Sequence, residues 1–136
     1  MKKRRKPVGL HPFQKQAIRA KWNSEAVKAQ IHALMGDDIE KLLAFGSVLF
    51  FVASACSIHL GWTGDEPDMR IVRASVNALD DLATRRTITD ADRGALNGGL
   101  LAAHRIIEVT PVEVVTEAAI LYDRHSLEWE KAKKHD

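Results

Sequence analysis

From Leu42 to Trp62 the chain reads LLAFGSVLFFVASACSIHLGW, twenty-one residues without an Asp, Glu, Lys or Arg. A run of that length either crosses a bilayer or becomes the helix around which the others close. The rest of the sequence consists of half-polar helical patterns. Their apolar stripes, at Met69 to Ala83, Leu96 to Ile107 and Val112 to Trp129, each need covering. A helix apolar on every side supplies that cover. Gly46, Ser47, Ala53, Ser54 and Ser57 let neighbours approach closely, and His59 and the serines suit a protein interior better than lipid. The expected fold class is therefore all-α, a compact helical bundle around a central hydrophobic helix at about residues 38–60. Val48, Leu49, Phe51, Val52 and Cys56 are its expected buried residues. A single-span inner-membrane protein, with residues 42–62 as the span and the cations on its inner side, is the alternative.

A chain of 136 residues fits one domain that buries about two thirds of its unfolded surface without disulfides or metals. The single cysteine, Cys56, excludes an internal disulfide and lies within the apolar run, so a reducing setting is expected. The net charge of +2 hides an asymmetry. Residues 1–41 carry ten Lys/Arg and four Asp/Glu, a balance of +6, and residues 42–136 carry ten and fourteen, a balance of −4. No apolar segment follows the N-terminal cations closely, so no secretory signal is expected.

Lys2 to Lys6, with Pro7, Gly9 and Pro12 behind them, read as a flexible basic arm over residues 1–12, ahead of one helical domain over 13–136. Phe13, Ala17, Ile18 and Trp22 recur at helical spacing. Asn23-Ser24 offers a new N-cap, after which Val27, Ile31, Leu34 and Met35 trace one apolar face as far as Gly36. Asp37-Asp38 caps the central helix. Pro67 starts an amphipathic helix whose core stripe is Met69, Val72, Val76, Leu79 and Ala83. Thr89 and Asp92 open the next helix, with Leu96, Leu100, Ala103, Ile106 and Ile107 inward. Gly94, Gly98 and Ala102 form a smooth strip suited to close approach, unless Asn97-Gly98-Gly99 breaks the helix. Thr110, Pro111 and Glu113 form a capping-box pattern for the last helix, whose stripe is Val112, Val115, Ala119, Tyr122, Ser126 and Trp129.

Motifs that carry chemistry are weak. The six histidines lack the three- or four-residue spacing of helical zinc ligands, so no metal is expected. His104 and Glu108 read as a helix-surface pair, and Asp81 to Arg85 as an i,i+4 bridge. Asp90-Ala91-Asp92 begins like a calcium loop but has Ala95 where glycine and Leu101 where glutamate are required. Asn97-Gly98-Gly99 lacks the lysine and preceding strand of a phosphate loop. No serine or cysteine has a nucleophile's context, so neither an enzyme nor a cofactor or small-molecule substrate is expected. One feature suggests binding: Lys2, Lys3, Arg4, Arg5 and Lys6, extended by Lys15, Arg19, Lys21 and Lys28, make a positive surface able to neutralise phosphates. No aromatic platform accompanies it.

A Lys/Arg-rich leader ends in Pro7-Val8-Gly9-Leu10-His11-Pro12. An apolar helix ending at Gly61-Trp62-Thr63-Gly64 follows, then an Arg73 to Leu82 helix and a Leu96 to Glu108 helix containing His104. This layout resembles the small helical accessory proteins of unknown function encoded by phages and prophages of proteobacteria; the chain termini and the Thr110 to Trp129 helix do not match it. The resemblance implies a cytoplasmic, non-enzymatic protein that binds a host or phage protein, and it carries over no functional residues. A nucleic-acid-binding accessory protein using the basic arm is the second expectation.

Overall fold

The structure, a computed structural model, describes residues 10–134, with side chains over residues 10–126. Five helices form in the order α1 (Pro12–Met35), α2 (Ile39–His59), α3 (Pro67–Arg85), α4 (Asp90–Glu108) and α5 (Val112–Lys134), and no strand occurs among the described residues. Local chemistry explains most of the starts. Asp38 accepts a hydrogen bond from Lys41 N–H at 3.1 Å, ahead of α2. Pro67 occupies the first turn of α3, where its missing N–H costs nothing. Thr89 and Asp92 make a reciprocal box at α4: Asp92 N–H donates to Thr89 Oγ1 at 3.1 Å and Thr89 N–H to Asp92 Oδ2 at 2.9 Å.

The expected central helix is observed. α2 packs against all four other helices. Leu42, Leu49, Val52, Ala53 and Cys56 are buried on it, and burial pushes the Cys56 thiol above its ordinary pKa, with the neighbouring Thr110 and the Arg19 cation opposing the shift. Val48 and Phe51, also expected inside, are only half-buried: Phe51 lies on an outward strip of α2 between α3 and α5, and Val48 faces a gap between α1 and α5. Among the described residues α2 alone is long and apolar enough to cross a bilayer, and 44% of its most apolar window is buried.

Four local expectations are corrected. No break occurs at Asn23-Ser24: α1 is one helix of 24 residues, begun at Pro12 by His11, whose N–H donates to Gln14 Oε1 at 2.8 Å. Asn23 instead ties α1 to α4, its Oδ1 lying 2.7 Å from His104 Nε2. On α3 Met69, Val72 and Leu79 are buried as predicted, while Ser75 and Leu82 take the places of Val76, which is half-buried, and Ala83, which is exposed; Ser75 turns toward α4 to bond Ala95 O. On α4 the helix runs unbroken through Asn97-Gly98-Gly99, and the close approach falls at Gly99 rather than Gly94 and Gly98, both of which face open space. The box expected at α5 is replaced. Thr110 N–H goes to Ile107 O at 3.2 Å and its hydroxyl donates to Ile106 O at 2.7 Å, closing the end of α4, while Glu113 pairs with Lys15 at 3.1 Å.

Ion pairs lace the helices together across their ends. Arg85 bonds Asp92 at 3.0 Å, linking α3 to α4, in place of the expected bridge to Asp81. Arg105 grips Asp68 at 2.8 Å, Arg93 reaches Ala33 O at 3.2 Å, and Arg86 pairs with Glu40 of α2. His104 and Glu108 pair on the surface of α4 at 3.2 Å, as expected.

Candidate interaction surface

The structure describes four of the nine cations predicted to form one positive surface. Lys2, Lys3, Arg4, Arg5 and Lys6 lie outside the described residues. Arg19 turns inward: its guanidinium donates to Ile107 O at 2.7 Å and to Thr110 O, satisfying carbonyls at the end of α4 where the helix dipole favours a cation. Lys15 is held by Glu113, whose carboxyl is kept below its ordinary pKa by its own backbone N–H first and the Lys15 ammonium second. Lys21 remains outward, its Nζ 5.9 Å from the Trp22 ring, and Lys28 is exposed with only a long 3.9 Å approach to Glu25.

What α1 presents outward is instead apolar. Its buried residues are Trp22, Ala26, Ala29 and Ala33, the three alanines fully enclosed. Alanine brings two helix backbones close, and here it brings α1 against α4. Trp22 apart, the large residues of its second half face away, so the predicted inward face of Val27, Ile31, Leu34 and Met35 is the outward one: Val27 is 53% exposed, Ile31 49%, Leu34 51% and Met35 72%. With the helix unbroken, the exposed set extends back through Ser24, Ala20 and Ala17 to Phe13, at 75% exposure. Those positions alternate by four and three over the length of α1. The spacing is present in the sequence, but the expected first pattern took in Ile18 and Trp22, which turn toward the core, and the expected cap at Asn23 ended it there.

Two shallow grooves flank α2. One, of about 380 Å³, runs between α2 and α5, with the exposed Ile58 and Leu121 on its rim and His59 and Glu117 beside them. The other, of about 480 Å³, lies on the outward strip of α2, where Phe51 packs 5.4 Å from Tyr122 and 6.1 Å from His125. Burial raises the Tyr122 pKa, with Asp123 adding to it. The groove also holds Asp80, but no hydrogen bond links Asp80, Tyr122 and His125 to one another, and Ser54 is spent on Phe50 O at 2.8 Å. No cluster of His, Cys, Asp and Glu able to hold a metal occurs among the described residues.

Among the described residues α1 carries five exposed large hydrophobic side chains, Phe13, Val27, Ile31, Leu34 and Met35, more than any other helix. Comparison with protein-family models, with curated proteins and with solved structures finds no match for the chain.

Proposed function

We propose that this protein is a non-enzymatic interaction module, a helical bundle whose outer α1 face docks a macromolecular partner. The observation that carries the reading is the placement of Val27, Ile31 and Leu34 in solvent while alanines of the same helix fill the core. A helix that buries alanines and exposes valine, isoleucine and leucine leaves surface that water solvates poorly, and a partner removes it from water. The layout likeness to phage and prophage accessory proteins makes a host or phage protein the natural partner, met in the cytoplasm. Nucleic acid is the weaker reading, because two of the described cations assigned to it, Lys15 and Arg19, are engaged within the fold.

A photo-crosslinking residue at position 31 tests the reading. A macromolecule trapped there, and not by the same residue at Asn77 on the polar face of α3, supports it. Product that disappears on nuclease treatment assigns the face to nucleic acid instead, and no product removes the module.

A further inference from the structure

The outward positions of α1 recur by four and three from Phe13 through Val27, Ile31 and Leu34, which is the 3.5-residue repeat by which one helix seats its side chains between those of another. The stripe is narrow. Gln16, Asn23 and Gln30 border it on one side and Lys21 and Lys28 on the other, all exposed or half-exposed, and Ser24 sits within it. A lipid surface calls for a broad apolar face, whereas a strict two-position stripe is the seam of a coiled coil. From Phe13 to Leu34 it runs about 32 Å, enough for about three heptads of a second helix.

The charges beside the seam select the occupant. No Asp or Glu lies within it or at the positions bordering it; the single carboxylate of α1, Glu25, is further round and half-buried. A second copy of this chain is a poor fit. Antiparallel pairing sets Lys21 of one copy against Lys28 of the other, and parallel pairing sets Lys21 against Gln16 and Lys28 against Asn23, so neither gains an ion pair. A helix carrying carboxylates beside its own apolar seam gains both lysines.

We propose that α1 docks an amphipathic helix of an acidic protein, apolar at its seam and Glu- or Asp-rich on the flank that meets Lys21 and Lys28. This rests on the interaction-module reading and adds the chemistry of the partner. Contact is strongest toward the end of α1, where Val27, Ile31 and Leu34 supply the larger side chains. The alanines and Ser24 of the first half admit close approach but bury little apolar surface.

The test uses the full chain and two synthetic heptad peptides with identical Leu/Ile seams, one with Glu and one with Lys at the flanking positions, titrated at low and high salt. The Glu peptide should bind about tenfold more tightly at low salt, the combined effect of two rim ion pairs gained and two like-charge contacts avoided. High salt should narrow the ratio. Ile31→Glu should abolish binding, and the double variant Lys21→Glu/Lys28→Glu should prefer the Lys peptide. Equal binding of the two peptides, no binding of the Glu peptide, or a preference unmoved by the charge reversal overturns the proposal. So does sedimentation of the chain as a dimer that Ile31→Glu converts to monomer, which makes a second copy the occupant. Binding to anionic vesicles that depends on Ile31, without binding of the Glu peptide, makes it a membrane. A macromolecule crosslinked at position 31 together with no preference for the Glu peptide overturns the acidic helix alone and leaves the module standing; no crosslink at all removes both.

Discussion

Gly99 and Ser75 meet so closely that a Cβ added to the glycine would fall 1.9 Å from Ser75 Oγ and 2.2 Å from Ser75 Cβ. Glycine is what lets α4 lie against α3 here. The serine is buried, its hydroxyl donating to Ala95 O at 2.8 Å, so the contact leaves no polar atom unpaired. The ring of Phe50 in α2 closes the same space from the third side, its Cε1 3.2 Å from the added atom.

Gly99→Ala should therefore destabilise the protein by about 2 kcal/mol in a denaturant melt, overpacking outweighing the gain in helix propensity. Combining it with Ser75→Gly should cost less than the two single changes summed, since the second removes the atoms the first collides with. Gly94→Ala and Gly98→Ala, which face open space on the same helix, should each stabilise by about 0.5–1 kcal/mol.

Arg19 holds two carbonyls at the α4 to α5 junction, and its removal leaves both without their charged donor. Arg19→Ala should cost about 2 kcal/mol of unfolding free energy. Arg19→Lys should recover only part of that, because an ammonium cannot span both acceptors as the planar guanidinium does.

The outer face of α1 should be nearly silent in stability. Ile31→Glu should change the unfolding free energy by no more than about 0.5 kcal/mol, whereas Leu49→Asp on α2, where the side chain is fully enclosed, should leave the chain insoluble or molten. A large loss from Ile31→Glu, measured by thermal melting, would mean that this face is covered within the fold.

Acid should unpick the α3 to α4 connection through Asp92. The Arg85 hydrogen bond first, and the Thr89 backbone N–H after it, hold the Asp92 carboxyl down from its ordinary 3.8 to about 2. A group whose pKa is depressed by folding contributes stability that is complete above the unfolded value and is lost as pH falls through the folded one. Stability measured by denaturant melts should therefore fall between pH of about 3.8 and about 2, and Asp92→Asn should flatten that part of the curve.

Much of this architecture follows from the residues alone, because the forces that begin a helix act within a few positions. Asp38 and the Thr89 with Asp92 pair cap their helices and Pro67 opens the first turn of α3, as their local chemistry requires, and the uncharged run after Lys41 becomes the helix that the others surround. The face of α4 was legible for the same reason: Leu96, Leu100, Ala103, Ile106 and Ile107 leave one continuous stripe and no rival to it. On α1 two faces compete, one of alanines and one of valine, isoleucine and leucine. Size favours burying the second, and only the close seating of α1 on α4 reverses the choice. The partners of Arg19, Arg85 and Thr110 were likewise settled by which helix ends come together, a matter of distance between elements that no local pattern encodes. The candidate surface was therefore present in the sequence as spacing, and only the tertiary structure decided that it points outward, because burial depends on how near the neighbouring backbone comes.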